Sequence, residues 1–196
     1  MTSWEKWKPF LDPEILTFLL GGLWLTLQVA VASVILSIVF GTVLAMLRLA
    51  KLPPVAWPAM AYVETVRSLP SFLVLIYVFF GVNRLGFKLP PEAAVVVGLT
   101  AYSAAKVAEI VRAGIQSIEK GQIEASRSLG LSYLQTMRYV VLPQAFRRMV
   151  PPLVGELVIV IKNTSIGVAV GLNELLRRGQ ITYQEFLNPV ETLVVV

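Results

Sequence analysis

Residues 124–143, EASRSLGLSYLQTMRYVVLP, form a polar stretch that interrupts an otherwise apolar chain. Gly130 stands where a helix C-terminus favours a left-handed residue, a conformation that glycine adopts without a Cβ clash. Ser132 follows at an N-cap position, where its hydroxyl can accept from free backbone N–H groups. Pro143 is expected to end the second helix, because proline has no N–H and crowds the preceding turn. The stretch predicts two short helices joined by a bend at Gly130, although an ordinary amphipathic connector would carry the same signals.

The composition predicts that the rest of the chain lies in a membrane. The mean hydropathy is +0.73, and 56% of the residues are hydrophobic while only 15% are charged. A soluble domain of this length could not bury so much apolar surface. The basic residues behind the net charge of +5 are scattered between apolar segments, which argues against a nucleic-acid-binding surface. Because the chain has no Cys and no His, we expect no disulfide, no metal site and no histidine-based catalysis.

Five membrane spans are predicted within one all-α domain of residues 1–196, since a helix needs about 20 mostly apolar residues to cross a bilayer. They cover about residues 15–47, 57–80, 92–113, 149–171 and 186–196. The second span contains Pro70, where we expect a kink. The fifth is too short to cross alone, so we expect the supplied sequence to stop inside its last helix.

The distribution of Lys and Arg between the spans indicates the orientation. Eight basic residues lie in the segments on one side: Arg48, Lys51, Arg112, Lys120, Arg127, Arg138, Arg147 and Arg148. Six lie on the other: Lys6, Lys8, Arg84, Lys88, Arg177 and Arg178. This excess predicts that residues 124–143 are cytoplasmic and that the N-terminus is outside.

The order of motifs resembles the permease subunits of ABC importers, and in particular the polar amino acid subfamily. Residues 124–143 resemble the EAA loop of that family, with Ser126 where the family has Ala. Residues 22–27, GLWLTL, and 109–114, EIVRAG, also match, and the resemblance extends over about residues 21 to 180. It implies a type I importer fold of about five transmembrane helices, in which the loop docks on a nucleotide-binding subunit. The coupling residues that it implies are Glu124, Ala125, Ser126, Gly130, Leu142 and Pro143.

The resemblance also implies partners in the cytoplasmic (inner) membrane. The chain contains no GxxxxGK[ST] phosphate loop, so ATP and Mg are expected on two separate ATP-binding subunits. A second permease subunit, identical or homologous, and an extracytoplasmic amino-acid-binding protein complete the complex. The chain itself is expected to bind no cofactor and to have no catalytic residue.

Charged residues inside the predicted spans are candidates for the solute path, because a charge in hydrocarbon is costly and faces the protein interior or a cavity. Lys106 and Glu109 are three residues apart on one helical face, with Arg112 three further on, so they form either an ion-pair ladder or part of the path. Glu156 is expected either to hold a cationic group of the solute or to pair with Lys106 or Lys162.

The subfamily often has an aromatic residue where Lys106 stands and Asn where Gly155 stands, and both departures bear on the solute. The run Lys162, Asn163, Thr164 and Ser165 is a family marker and a further candidate for the solute path, which we interpret as a packing or gating element. Lys106 favours an acidic or amide solute, whereas Glu156 favours a cationic one.

The predicted function is therefore that of a permease subunit of an ATP-driven importer for a polar amino acid. Three alternatives remain at this point. The solute could be another small zwitterion, such as an opine or a cystine-like compound. The chain could be a secondary carrier that uses Glu109 and Glu156, or a non-transporting member of a permease pair.

Overall fold

The computed structural model describes residues 4–50 and 52–196, which are helical or lie in short connections, with no β-strand among them. Lys51, one of the basic residues that indicate the orientation, lies outside the described residues. The first four α-helices along the chain are α1 (Pro13–Leu49), α2 (Pro53–Ser68), α3 (Ser71–Arg84) and α4 (Pro91–Gln116). Next come α5 (Lys120–Ser128), α6 (Tyr133–Thr136), a π-helical turn (Met137–Val141) and α7 (Leu142–Asn163). A 3₁₀ segment (Thr164–Val170) then leads to α8 (Leu175–Phe186) and α9 (Pro189–Val195).

Pro70 divides the apolar stretch 57–80 into two helices instead of kinking one. Leu69, the residue before it, is extended at φ −93° and ψ 147°, because a proline ring disfavours the helical conformation of its predecessor. Helix α2 therefore ends at Ser68, and α3 begins at Ser71.

Pro143 does not end the second helix of residues 124–143, and the prediction that it does so is wrong. The chain passes from α6 through the π-helical turn directly into α7, which contains Pro143 as its second residue. In the π-helical turn the N–H of Leu142 bonds to the carbonyl of Met137, five residues back. This wider turn accommodates a residue that has no N–H and that would crowd a regular α-helical turn.

Within residues 4–50 and 52–196, three helical segments are long and apolar enough to cross a membrane: Pro13–Leu49, Pro91–Gln116 and the continuous run Tyr133–Val170. Helices α2 and α3 also qualify when they are taken together as one broken span. In the most apolar 18-residue stretch of α4, 61% is buried within the chain, whereas in that of the run Tyr133–Val170 only 28% is buried. The run Tyr133–Val170 thus leaves most of this stretch for contact with lipid or with other subunits.

The described residues form two compact units, and α1, α4 and α7 each contribute to both. The first unit comprises the described part of Met1–Ser33 with Ser71–Leu99 and Val160–Val196. In this unit the hydroxyl of Thr26 donates to the carboxylate of Glu174 at 3.3 Å, and Arg178 donates to the carbonyl of Phe18 at 2.6 Å. These bonds join the N-terminal half of α1 to the start of α8.

The second unit comprises the described part of Val34–Pro70 with Thr100–Ile159. Its core is built from small and β-branched side chains of α1, α2, α4, the π-helical turn and α7, which include Ala45, Val63, Ala105, Ala108, Val141 and Ala145. Gly41 lets α1 and α4 approach closely, since a Cβ on it would lie 2.6 Å from Cβ of Val107 and 2.8 Å from the carbonyl oxygen of Ala104. Apart from the run Lys162–Ser165, the contacts of the candidate site described below lie within this unit.

Gly41→Ala is expected to destabilise the chain by about 1–3 kcal/mol, because the added methyl group overpacks the contact with Val107 and the backbone of Ala104. Gly81→Ala is the matched control. Gly81 also lies inside a helix, but a Cβ on it meets no atom within 4 Å, so the substitution should be neutral or stabilising by up to about 1 kcal/mol. Thermal unfolding in detergent measures both changes, and equal midpoints for the two variants would contradict the close packing of α1 on α4.

Candidate functional site

The bend between α5 and α6 is set by backbone hydrogen bonds around Gly130. Its φ of +85° lies in the left-handed region. The N–H of Gly130 donates to the carbonyl of Arg127 at 2.9 Å, and the N–H of Leu131 donates to that of Ser126 at 3.2 Å. This pair of bonds is the Schellman motif, which satisfies the last carbonyls of a helix. The predicted bend is therefore present, and it has one defined geometry.

Helix α6 begins with a capping box. The N–H of Gln135 donates to the Ser132 hydroxyl at 3.4 Å, and the N–H of Ser132 donates to the Gln135 side chain at 2.8 Å. Two N–H groups that a helix start would leave free are thus satisfied by the segment itself. The entry to α6 is consequently as well defined as the exit from α5.

A buried hydroxyl pair links α5 to α6 across the bend. Ser126 is 4% exposed, Thr136 is 2% exposed, and their side-chain oxygens lie 3.0 Å apart. Ser126 also donates to the carbonyl of Ile123 at 2.7 Å, so Thr136 is the donor in the pair. An alanine at position 126 would leave the Thr136 hydroxyl without this partner, so the serine of this chain has a local structural role.

The inner side of the segment is attached to the core of its unit. Ile118, just before α5, and Val141, at the end of the π-helical turn, are buried in the cluster that contains Ala145 and Met149 of α7. Ile123 and Met137 pack against the same cluster. A force on the segment will therefore be transmitted to α4, which precedes it in the chain, and to α7, which continues from it.

The outer side of the segment exposes large apolar side chains. Leu129 is 83% exposed and Leu134 is 77% exposed, while Tyr133 and Tyr139 are each 63% exposed. Glu124 and Ala125 are exposed on α5, and Leu142 and Pro143 are exposed at the start of α7. Exposed apolar side chains concentrated on a polar segment are typical of a surface that binds another protein.

A cluster of five charged side chains joins the ends of α1, α2 and α4. Glu109 is its centre: its carboxylate lies 2.6 Å from Arg48 and 3.2 Å from Arg67, and it also accepts a hydrogen bond from Arg112. Arg48 additionally contacts Glu64 at 3.3 Å. The side chain of Arg48 is only 6% exposed, so its charge depends on these carboxylates for compensation.

The spacing along the chain left the ion-pair partners in this cluster open. Glu109 pairs with Arg112, three residues away on α4, whereas Lys106 contacts a different carboxylate, so the three residues do not form one ladder. Glu64 and Arg67 are also three residues apart on one helix, but each contacts a residue of another helix. Helical spacing shows which side chains share a face, whereas the choice of partner depends on which helix packs against that face.

A second charged group lies deeper in the same unit, between α4 and α7. Glu156 is 5% exposed, and its carboxylate accepts a hydrogen bond from the Ser103 hydroxyl at 3.0 Å. The ammonium nitrogen of Lys106 lies 3.6 Å from the other carboxylate oxygen and 4.8 Å from the centre of the Tyr102 ring. Of the two partners that the sequence allowed for Glu156, the structure selects Lys106.

The run from Lys162 to Ser165 belongs to the first unit. Helix α7 ends at Asn163, and the 3₁₀ segment begins at Thr164, whose buried hydroxyl donates to the carbonyl of Ile161 at 2.7 Å. Lys162 is exposed, and among the residues that the structure describes it forms no ion pair. The helix thus changes from α to 3₁₀ within this run, and a 3₁₀ stretch inside a helix often marks a hinge.

A family profile described as "Binding-protein-dependent transport system inner membrane component" matches residues 37–196. The chain belongs to this permease family. The match includes the segment 124–143, both charged groups and the run Lys162–Ser165, which are thus features of an inner-membrane transport component.

Two relatives and one solved structure agree with this assignment. The permease is 46% identical over 168 residues to the probable glutamine ABC transporter permease protein GlnP of Bacillus subtilis. This alignment covers 86% of the present chain and 77% of GlnP. The permease is 39% identical over 179 residues to the glutamate transport system permease protein GluD of Corynebacterium glutamicum, with 89% and 66% of the two chains covered. The crystal structure of an amino acid ABC transporter with histidines matches with a TM-score of 0.87 at 31% identity, over 93% of this chain and 85% of that one. The permease thus has the all-α transmembrane fold of an ABC importer.

Several residues of these groups were missed by sequence reasoning. Arg48 served only as an orientation signal, although it is the buried partner of Glu109. Ser103 and Thr136 are single hydroxyl residues, and nothing in their sequence context indicates the carboxylate or the hydroxyl that they contact. Tyr102 lies four residues before Lys106, a spacing that places both on one helical face and could have suggested the contact.

Glu109→Gln is expected to destabilise the permease by about 3 kcal/mol, the lower end of the cost of breaking a buried ion pair, because Glu64 still contacts Arg48. Glu64→Gln is the control, since the Glu64 side chain is 63% exposed and a pair of this kind contributes at most about 1 kcal/mol. Unfolding of the purified protein by heat or by denaturing detergent would measure both. A larger loss for Glu64→Gln than for Glu109→Gln would show that Glu109 is not the centre of the cluster.

Proposed function

We propose that the permease is the transmembrane subunit of an ATP-driven importer that carries a polar amino acid across the cytoplasmic membrane. The observation that carries this proposal is the segment 124–143, a rigid helix–bend–helix that is attached to the core on one side and exposes apolar side chains on the other. The names of the two relatives, glutamine and glutamate permeases, support an amino acid with a polar side chain as the solute.

We infer the other subunits of the importer from the missing phosphate-binding loop and from the exposed surface of this chain. It contains no GxxxxGK[ST] phosphate loop, so ATP and Mg bind to two separate ATP-binding subunits, and this chain binds no cofactor. A second permease, identical or homologous, covers exposed surface of the run Tyr133–Val170 beyond Pro143 and completes the pathway. An extracytoplasmic binding protein delivers the amino acid.

The orientation places the segment 124–143 in the cytoplasm and the N-terminus outside. The spans are α1, the broken pair α2–α3, α4, the part of the run Tyr133–Val170 that follows the segment 124–143, and the stretch that begins near residue 186. The basic residues near the segment support this arrangement by the positive-inside rule. The apolar side chains Leu129 and Leu134 then face the ATP-binding subunits.

Transport proceeds by alternating access. Closure of the ATP-binding subunits on ATP moves the docked segment, and the bend at Gly130 keeps α5 and α6 in a fixed relation during the movement. Because Ile118 and Val141 attach the segment to the core beside α7, the displacement is passed to the helices as a rigid-body shift rather than lost in the loop. Hydrolysis reverses the displacement.

The first test of this function is the ATPase activity of the complex, purified through a tag on this chain and placed in nanodiscs with its binding protein. One or a few polar amino acids are expected to stimulate hydrolysis, and the panel should include glutamine, glutamate, asparagine, arginine and cystine. A complex that contains an active ATPase but responds to no amino acid would contradict the proposed solute class.

Gly130→Val is expected to lower solute-stimulated ATPase activity by roughly five- to tenfold or more, because a left-handed conformation costs a bulky residue about 1–2 kcal/mol and the bend is reshaped. Gly130→Asn is the control, since asparagine tolerates this conformation, and it should retain most of the stimulation. Glu124→Lys, which reverses an exposed charge on α5, should also reduce stimulation without removing the protein from the membrane. Normal stimulation in both Gly130→Val and Glu124→Lys would show that the segment does not couple the subunits.

A further inference from the structure

The ammonium group of Lys106 occupies a small cation site that the permease builds from its own residues. A carboxylate oxygen of Glu156 lies 3.6 Å away, and the face of the Tyr102 ring lies 4.8 Å away, measured to its centre. The Ser103 hydroxyl holds the other oxygen of Glu156 at 3.0 Å. A carboxylate and an aromatic face are the groups that recognise a free ammonium or guanidinium ion.

The attachment of Lys106 to this site is loose. Charge-assisted hydrogen bonds measure about 2.7–2.9 Å, so the 3.6 Å separation is an ion pair without a direct hydrogen bond. The Lys106 side chain is 29% exposed, whereas that of Glu156 is 5% exposed. A lysine ammonium on its flexible stem can therefore move away, while the carboxylate stays in place and is left without a compensating charge.

The exposed part of Lys106 faces something other than lipid. Lys106 lies well inside α4 (Pro91–Gln116), a helix that can cross the membrane, and a charge at that depth faces a water-filled cavity or another protein. The positive charge is thus accessible to a polar solute.

We propose that Lys106 is a selectivity residue, which fills the cation site of Tyr102, Ser103 and Glu156 with its own ammonium group and thereby excludes amino acids with a cationic side chain. Its accessible charge repels a solute of net positive charge and attracts the carboxylate of a neutral or acidic amino acid. This inference rests on the proposed function, because it assigns the selectivity of the same transport path.

Removal of the lysine should convert the site into one that accepts an external cation. Lys106→Met leaves the Glu156 carboxylate buried without its partner, and a guanidinium or ammonium group of the solute can then supply the missing charge. The expected change is a gain of arginine binding of at least about tenfold, together with weaker binding of glutamate. A gain of this kind is not produced by general damage to the fold.

The test is equilibrium binding of radiolabelled glutamine, glutamate and arginine to the complex, purified through a tag on this chain, in nanodiscs. The binding protein is omitted, because it would impose its own selectivity. The wild type should bind glutamine or glutamate more tightly than arginine, and Lys106→Met should bind arginine more tightly than the wild type. Lys106→Gln, which keeps a polar head group, serves as the second variant if Lys106→Met does not assemble.

Two further variants separate the local effect from a general change of charge. Lys88→Met removes an exposed lysine of the loop between α3 and α4 and should leave the selectivity of the wild type. Lys106→Met combined with Glu156→Gln removes both charges, and the gain of arginine binding should disappear. A gain that persists without the Glu156 carboxylate would overturn the proposed site.

The possible failures are distinguishable. Unchanged arginine affinity in Lys106→Met or Lys106→Gln, with an intact complex, overturns the selectivity role while leaving the proposed function in place. Dissociation of the two permeases by the substitution, without a gain of arginine binding, shows that Lys106 contacts the partner and likewise overturns the role. A wild-type complex that binds none of the three amino acids and whose ATPase responds to none of the panel contradicts the proposed function itself.

Discussion

The cost of placing charge in hydrocarbon is the constraint on which the rest of the structure depends. A charged side chain in a membrane span must find an opposite charge, a polar cavity or another subunit. This requirement brings Arg48 of α1 and Arg67 of α2 onto Glu109 of α4, and it brings α7 to α4 through Glu156 and Lys106. The apolar side chains around these groups fill the space between the helices, but many different helix arrangements would satisfy them. The ion pairs specify which helical faces meet.

The two charged groups differ in a way that suits different tasks. Glu109 contacts three arginines, and its nearest separation to Arg48 is 2.6 Å, so the cluster holds α1, α2 and α4 together. Lys106 lies 3.6 Å from Glu156 and is partly exposed, so this pair is looser and, in the proposed selectivity role, leaves the positive charge open to a solute. The compact network can keep the helix ends together when the helices move as rigid bodies. The loose pair, deeper in the span, can adjust when the solute site opens. The segment 124–143 is correspondingly rigid. Its bend, its capping box and its buried hydroxyl pair leave it little freedom to deform when it is displaced.

Much of this protein could be predicted without coordinates. The polar segment with Gly130 and Ser132 predicted a helix, a bend and a capped helix, because these signals act through the backbone of a few adjacent residues. The composition and the length of the apolar stretches predicted membrane-spanning helices, since the thickness of a bilayer sets the length of a span. The resemblance of the motifs predicted the family, which the match over residues 37–196 confirms. The prediction for Pro143 was wrong because a π-helical turn immediately before it relieves the crowding that normally ends a helix.

The sequence by itself therefore determined the class of fold, the family, the bend of the segment 124–143 and the residues that carry charge into the membrane. Only the tertiary structure decided which of those charges meet. Glu156 could have paired with Lys106 or Lys162, and Glu64 could have paired with Arg67, because each choice is compatible with the spacing along the chain. The physical reason is that capping, turns and span length are local properties, whereas the partner of a buried charge depends on which helix packs against it and on how far each side chain reaches across the contact.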